Sequence, residues 1–216
     1  MRLVATADLH GFLPDIPACD VLVLAGDITP VRDHDVAYQA RWLDGEFRAW
    51  LQAQPAAHVL AVAGNHDFVF ERAPDTVPGL PWTYLQDDAC TIDGVRFWGS
   101  PWTPWFLDWA FNAPREDAGE AFLTERYASC PPDTDVIILH GPPRGYGDHT
   151  ARGVDAGSTA ALELVDRVRP ELCVFGHIHE GRGTWRRGAS ELSNVTYVDL
   201  DYTPIDAPLP CYDVGR

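Results

Sequence analysis

The nine residues Val59-Leu60-Ala61-Val62-Ala63-Gly64-Asn65-His66-Asp67 decide the fold, because a wholly apolar run ends there in a glycine and three polar side chains. A short apolar run without alternation is typical of a strand that is buried on both faces. The same change from apolar to polar or glycine-rich sequence occurs at four other places, namely after residues 3–7, 21–25, 136–139 and 172–175. The sequence therefore predicts five buried strands with polar side chains at their carboxyl ends.

Three segments between these strands have the apolar spacing of helices. Residues 35–54 show this spacing and end before Pro55, which cannot continue a helix. Residues 114–129 form a second candidate, and residues 158–168 form a third with Ser158 as its N-cap. Each helix is expected to place one apolar face on a sheet.

Other segments indicate antiparallel strands. Residues 82–85 and 91–98 are predicted to be strands around the turn-like Asp93-Gly94. Residues 184–187 and 194–200 are predicted to form a similar closing pair. Strands that alternate with helices, joined to antiparallel pieces, indicate an α/β sandwich. We therefore expect an α/β fold, a layered α/β/β/α sandwich of mixed sheets.

Length and charge limit the classes of function. The chain has 216 residues, a hydrophobic fraction of 46% and a formal net charge of −16, and all its basic residues are arginines. A chain of this length is expected to form one domain, residues 1–216. Its negative field repels polyanions, so long nucleic acid is not an expected partner, whereas a small phosphate ester can bind beside a local cation.

The number and spacing of the cysteines and the lengths of the apolar runs indicate the cellular compartment of the protein. The five cysteines are an odd number without a CxxC pair, which argues against disulfides and a thiolate zinc site. The apolar run at residues 1–9 is short and is interrupted by the charged Asp8, which predicts a first strand and not a signal peptide. No apolar run approaches the roughly 20 residues of a membrane span. We expect a cytoplasmic protein without a membrane partner, with a surface tail after Tyr202; the oligomeric state stays open.

Side chains with the chemistry of metal ligands follow the five predicted strands. They are Asp8, His10, Asp27, Asn65, His140, His177 and His179. Open α/β sheets place their ligands at the carboxyl ends of the strands. If the strands persist, Asp8 and His10 point the same way, as do His177 and His179. The neighbouring glycines let backbone and metal approach closely, so the sequence predicts a metal centre at this edge.

This donor set suits divalent ions such as manganese, iron and zinc, with cobalt and nickel also open. We expect two ions, because one bridging carboxylate would allow both to bind. Asp27 is the candidate for this bridge, and manganese is the first candidate for the metal. Two ions about 3.5–4 Å apart can hold a bridging hydroxide and neutralise the charge of a phosphoryl group. His34, His58 and His149 lie outside these motifs and are expected to be ordinary surface residues.

Taken in order, these motifs resemble the calcineurin-like metallophosphoesterase superfamily over residues 5 to about 200. The motifs are Asp-x-His, Gly-Asp, Gly-Asn-His-Asp, His-Gly and Gly-His-x-His. Residues 99–106, 111–112, 140–143 and 176–181 are similar to the metallophosphoesterase-domain-containing branch of cyclic-nucleotide phosphodiesterase relatives. The resemblance covers most of the chain.

The resemblance implies a role for each motif residue. It places Asp8, His10 and His179 on a first ion and Asn65, His140 and His177 on a second ion, with Asp27 shared. It implies that His66 contacts the phosphate and protonates the leaving oxygen, and that Asp67 steadies His66. A histidine near neutrality is also, on chemical grounds, a suitable proton donor for a leaving alkoxide.

Further candidate substrate contacts join Asn65 and His66. The aromatic segment 102–111, which includes Trp102, can be a lid on the sheet, a platform for a nucleobase or an interface between chains. Asn112 is a candidate hydrogen-bonding group for the base. Arg144 is a candidate for a phosphate or ribose contact, with an exposed loop arginine as the alternative.

We therefore expect a metal-dependent phosphodiesterase that hydrolyses small nucleotides, cyclic ones included, or related diesters through a metal-bridging hydroxide, with His66 as general acid. The preference between diester and monoester stays open. The alternative is a non-catalytic or weakly catalytic module that senses mononucleotides. A nuclease or a protein phosphatase is disfavoured, because the chain is acidic and residues 28–32 lack the second aspartate of protein phosphatases.

Overall fold

Two mixed β-sheets lie face to face at the centre of the structure, which is a computed structural model that describes residues 1–215 apart from the Asp117 side chain. The strands are β1 (Arg2–Thr6), β2 (Cys19–Ala25), β3 (Ala56–Val62), β4 (Thr83–Tyr84), β5 (Asp88–Ile92), β6 (Val95–Ser100), β7 (Val136–Leu139), β8 (Leu172–Phe175), β9 (Gly183–Arg187), β10 (Ser190–Asn194) and β11 (Cys211–Asp213). The helices are α1 (Val36–Trp42), α2 (Arg48–Gln52), α3 (Phe68–Arg72), α4 (Asp117–Tyr127) and α5 (Thr159–Val168).

Each sheet has a parallel centre and antiparallel edges. The five-stranded sheet has the order β11-β1-β2-β3-β4, in which only β11 is antiparallel to its neighbour. The six-stranded sheet has the order β5-β6-β7-β8-β10-β9, with antiparallel pairs at both ends. The five apolar runs form β1, β2, β3, β7 and β8, as the sequence predicts. The carboxyl ends of both parallel centres therefore contribute to one edge of the sandwich.

Three apolar layers hold the sheets and helices together, which confirms the predicted α/β/β/α sandwich. Alternate residues of each strand face opposite ways. Leu3 and Val23 thus pack with Val136 and Val174 between the two sheets. Their sequence neighbours pack outward, against α1 and α2 on one side and against α4 and α5 on the other. Among the described residues, no helix combines the length and hydropathy required to cross a membrane.

The predicted helix over residues 35–54 forms as α1 and α2, joined by the π-helical turn Leu43–Phe47. Asp35 caps α1 by accepting a hydrogen bond from the Tyr38 N–H at 2.8 Å. The third predicted helix, α5, begins after Ser158, whose side chain accepts a hydrogen bond from the Ala161 N–H. These caps explain why the helix starts agree with the sequence.

The antiparallel pairs differ in part from the prediction. Asp93-Gly94 does join an antiparallel pair, β5 and β6, but Thr83–Tyr84 pairs parallel with β3 in the other sheet. The partner of β9 is β10 at Ser190–Asn194, not residues 194–200, because Gly188 adopts a φ of 61° and reverses the chain at once. The expected surface tail returns to the sheet as the edge strand β11.

Candidate metal centre

The seven predicted ligands converge where the parallel strands of both sheets end. The Asn65 Oδ1 atom lies 2.8 Å from His140 Nε2 and 2.6 Å from His177 Nδ1. On the other side, His10 Nε2 lies 3.2 Å from His179 Nε2, which is 3.6 Å from Asp8 Oδ1. The centre thus has two neighbouring sets of nitrogen and oxygen donors.

Asp27 lies between the two sets of donors. Its Oδ1 atom is 3.4 Å from His140 Nε2, and its Oδ2 atom is 3.7 Å from His10 Nε2. Asp8 likewise lies close to both donor sets. Its ligand atoms are within 4.8 Å of those of His10 and His179, and also within 4.8 Å of those of Asp27 and His140. Two carboxylates therefore have positions from which they could contact both sets.

The orientation of the imidazoles fits a bound cation. His140 Nδ1 is 3.0 Å from the carbonyl oxygen of Ala25, and His179 Nδ1 is 2.9 Å from that of Asp199. Because a carbonyl only accepts, each Nδ1 carries a proton, and the ring points its Nε2 atom into the cluster, where that atom offers a lone pair once the ring is neutral. Lone pairs that face carboxylate and amide oxygens repel one another unless a proton or a metal ion lies between them. The donor set therefore fits divalent metal ions.

The electrostatics of the centre favour positive charge. Burial alone would lower the pKa of His140, but the charges of Asp27 and Asp8 raise it to about 9. Burial likewise opposes protonation of His179, yet its contact with Asp8 raises the pKa to about 9. Burial instead dominates for His10, whose pKa falls to about 4, and for His177, whose pKa falls to about 3. The pocket thus holds some of its histidines as cations when no metal ion is bound.

Four of the predicted ligands have left-handed backbone conformations, which residues other than glycine rarely adopt. The φ values are 55° at Asp8, 47° at His10, 53° at Asp27 and 69° at His177. The condition for Asp8 and His10 to point the same way by strand alternation is not met, because β1 ends at Thr6 and the chain turns; their side chains reach the same group of donors through the turn. Such strain concentrates at functional sites, where the surrounding structure enforces it.

Glycines bring the loops together at the centre. A Cβ atom on Gly64 would collide with the side chain and backbone of Asp27, and one on Gly176 would collide with the side chain of Asp8. Gly26 has a φ of 93°, and a Cβ there would meet His140. Glycine at these positions lets the loops approach closely enough for the donors to converge, as the sequence predicts.

His66 lies beside the donors, with only 5% of its surface exposed. Its ring centroid is 5.1 Å from that of His10 and 4.4 Å from that of Trp109. Its backbone N–H donates to Asp27 Oδ1 at 2.8 Å, which ties the loop to the centre. Burial lowers the pKa of His66 below its usual value of 6.5, so the ring is mostly neutral at pH 7 without a ligand.

The Asp67 carboxylate binds a different partner from the one expected. Its hydrogen bonds come from the N–H groups of Ile28, Thr29 and Gly64 at 2.8–3.1 Å and from the Thr29 hydroxyl, and within the described residues none comes from the His66 ring. Burial, followed by the charge of Asp27, raises the pKa of Asp67 to about 6. The expectation that Asp67 steadies His66 directly is therefore wrong, because the carboxylate faces the loop after β2.

Replacement of Asp67 by alanine is expected to lower the free energy of unfolding by about 3 kcal/mol or more. Each buried N–H that loses its acceptor costs about 1–3 kcal/mol. Urea denaturation of Asp67→Ala measures the loss, and Asp15→Ala, at an exposed position, is the control. A loss below about 1 kcal/mol would contradict this account of the loop.

Three expected substrate contacts have other partners in the structure. The Asn112 side chain binds backbone groups of Phe106, Leu107 and Trp109 and so holds the aromatic segment in shape. Trp102 donates to Asp87 at 3.0 Å and packs edge-on against two phenylalanines. Arg144 donates to the carbonyl oxygen of Asp155 within an exposed loop. We therefore do not assign substrate contacts to these three residues.

Two side chains at the centre were not found from the sequence. His34, expected to be an ordinary surface residue, has its Nε2 atom 3.1 Å from His66 Nδ1. Tyr202, at the start of the expected surface tail, places its ring centroid 4.8 Å from His10 and 5.3 Å from His179. His34 lies outside every motif, and Tyr202 reaches the centre through a fold of the tail that no sequence signal indicates.

The chain belongs to the calcineurin-like phosphoesterase family, whose model matches residues 1–181. It is therefore a metallophosphoesterase, a hydrolase of a family that uses divalent metal ions, and its structure contains histidine and aspartate groups that could hold such ions. This agrees with the resemblance that the motifs carry.

Particular relatives support the assignment. Human metallophosphoesterase domain-containing protein 1 is 32% identical over 96% of this chain and 69% of its own length. A cAMP/cGMP dual specificity phosphodiesterase of Mycobacterium tuberculosis is 28% identical over 74% of this chain and 48% of its own length. The crystal structure of phosphopantetheinyl hydrolase from M. tuberculosis covers 90% of this chain and 88% of its own, with a TM-score of 0.56 at 16% identity, which supports the fold alone.

Proposed function

We propose that the protein is a phosphodiesterase that hydrolyses small nucleotides, cyclic ones among them, with two divalent ions, manganese being the first candidate. The observation that carries the proposal is the convergence of two donor sets around Asp27, with His66 beside them. The similarity to a relative whose name includes cAMP and cGMP supports the choice of nucleotide. The cytoplasm remains our proposed location.

The donors divide naturally between two ions. Asp8, His10 and His179 would hold one ion, Asn65, His140 and His177 would hold the other, and Asp27 would be shared. When bound, the ions would lower the pKa of a water molecule and neutralise charge on the phosphoryl oxygens. The carbonyl groups of Ala25 and Asp199 keep the Nε2 atoms of His140 and His179 directed at this position.

His66 would hold the proton that the leaving oxygen takes up. With Nδ1 occupied by His34, its Nε2 atom has no hydrogen-bond partner among the described residues. Burial disfavours the charged ring, whereas an anionic phosphate bound beside it would favour that form. The substrate would thus help to create the acid that the reaction needs.

Aromatic rings on two sides of the centre suit a nucleoside. Trp109 lies against His66, and Tyr202, which is 37% exposed, lies against His10 and His179. An aromatic face can stack on a base without regard to its identity. We assign these two rings, in place of Trp102 and Asn112, as the candidate nucleoside contacts.

Metal removal tests the proposal. Chelation is expected to reduce hydrolysis of 3′,5′-cyclic and 2′,3′-cyclic nucleotides and of bis(p-nitrophenyl) phosphate by about 1,000-fold or more, because metal ions supply several kcal/mol to the transition state. Added Mn²⁺ should restore the rate in steady-state assays.

Two results would contradict the proposal. Turnover that survives chelation would exclude the metal-dependent mechanism. A manganese-loaded protein that binds a mononucleotide in calorimetry but hydrolyses none of the diesters would instead favour the nucleotide-sensing alternative.

A further inference from the structure

The His66 ring is held by a second histidine that no motif includes. His34 Nε2 lies 3.1 Å from His66 Nδ1, and the two ring centroids are 5.1 Å apart. Trp109 packs against the same ring with a centroid distance of 4.4 Å. In the described part of the chain, the hydrogen bond to His34 is the only one that the His66 side chain makes.

The position of His34 is fixed by the start of α1. Asp33 Oδ1 accepts a hydrogen bond from the Asp35 N–H at 2.9 Å, and Asp35 in turn caps the helix. The His34 ring also packs on Phe68, with a centroid distance of 4.8 Å. His34 is exposed to solvent, yet it lies between the hydrogen-bonded residues Asp33 and Asp35 and packs its ring on Phe68.

A second side chain from α1 holds the backbone of the same loop. The fully buried Gln39 donates to the His66 carbonyl oxygen at 2.7 Å and accepts from the Val69 N–H at 2.9 Å. Helix α1 therefore fixes the loop through Gln39 and contacts the His66 ring through His34. Asp67, the carboxylate next to His66, is engaged by the loop after β2 and leaves the ring to His34.

We propose that His34 is a positioning residue: its hydrogen bond to Nδ1 fixes the His66 ring so that Nε2 faces the leaving oxygen of the substrate. This inference rests on the proposed function, in which His66 is the proton donor. The geometry supports it because Nδ1 of the His66 ring is engaged by His34, whereas Nε2 has no hydrogen-bond partner in the part of the chain that the structure describes. A ring held in one orientation loses less freedom when the transition state forms.

Two variants separate the hydrogen bond from the bulk of the side chain. His34→Ala removes the bond, whereas His34→Gln places an amide group near the position of Nε2 and can restore it. His58→Ala is the matched control, because His58 is exposed on β3, away from the centre. The assays use the manganese-loaded enzyme with an alkyl phosphodiester and with bis(p-nitrophenyl) phosphate, whose leaving group needs no proton.

We expect His34→Ala to lower kcat on the alkyl diester by about 3- to 10-fold, the usual effect of one hydrogen bond. Its kcat on the nitrophenyl diester, its KM values and its metal content should stay within about 2-fold of those of the unaltered protein. His34→Gln should recover most of the loss, and His58→Ala should show none.

Nitrogen NMR of the imidazole rings in the metal-free protein gives a readout that does not depend on turnover. The His66 Nδ1 resonance, assigned with His66→Ala, should shift in His34→Ala and return toward its original position in His34→Gln. Equal losses on both diesters, or an unchanged Nδ1 resonance, would overturn the role of His34 while leaving the proposed function intact. Absence of turnover in the unaltered protein would overturn the proposed function and this inference with it.

Discussion

Replacement of Asp27 by asparagine is expected to reduce phosphodiester hydrolysis by about 1,000-fold or more. The two Asp27 oxygens lie 3.4 Å from His140 Nε2 and 3.7 Å from His10 Nε2, so this carboxylate faces both donor sets. The amide keeps the size of the side chain but removes the negative charge that would lie between the two proposed cations. Loss of metal stabilisation worth several kcal/mol corresponds to this factor.

Elemental analysis beside steady-state kinetics measures both parts of this effect. We expect Asp27→Asn to retain fewer than two manganese ions per chain, whereas Asp15→Asn, at an exposed position, should match the unaltered protein. Asp8→Asn is the informative comparison, because Asp8 also groups with both sets of donors. If Asp27→Asn keeps both ions and full activity, Asp27 is excluded as the shared ligand. Loss of both ions in Asp8→Asn would then assign that role to Asp8.

Replacement of His66 by alanine is expected to lower kcat in a way that depends on the leaving group. A positioned general acid contributes about 100- to 10,000-fold when the leaving oxygen needs a proton. For an alkyl phosphodiester we therefore expect a loss in this range, whereas for a nitrophenyl diester we expect a loss below about 10-fold. The metal content should not change, because His66 contributes only its backbone N–H to Asp27.

The His66 experiment has a matched control and a clear contrary result. His58→Ala removes an exposed histidine near the amino-terminal end of β3, whereas the metal centre lies beyond the carboxyl end of that strand, and should leave both rates unchanged. Equal losses on the two substrates in His66→Ala would mean that His66 supports the site without donating a proton.

The sequence predicts the central strands because parallel strands buried on both faces need uninterrupted apolar runs. Residues 59–63 and 172–175 show this requirement directly, and the structure confirms it. The edge strands are harder to predict. β4 has two residues and β11 has three, so neither is long enough for a pattern, and each is defined by the neighbour it pairs with.

The candidate ligands could be found from the sequence because each follows one of these strands. Their surroundings could not be found, since they depend on contacts across the fold. Asp67 binds N–H groups nearly 40 residues earlier in the chain, and His34 meets His66 across 32 positions. The left-handed conformations of Asp8 and Asp27 likewise carry no signal, because neither residue is a glycine.

Anomalous diffraction from manganese-soaked crystals tests the central claim most directly. We expect two anomalous peaks, one within bonding distance of His10 and His179 and one within bonding distance of His140 and Asn65, with Asp27 reaching both. A single peak, no peak, or peaks remote from these side chains would contradict the two-ion centre on which the proposed activity depends.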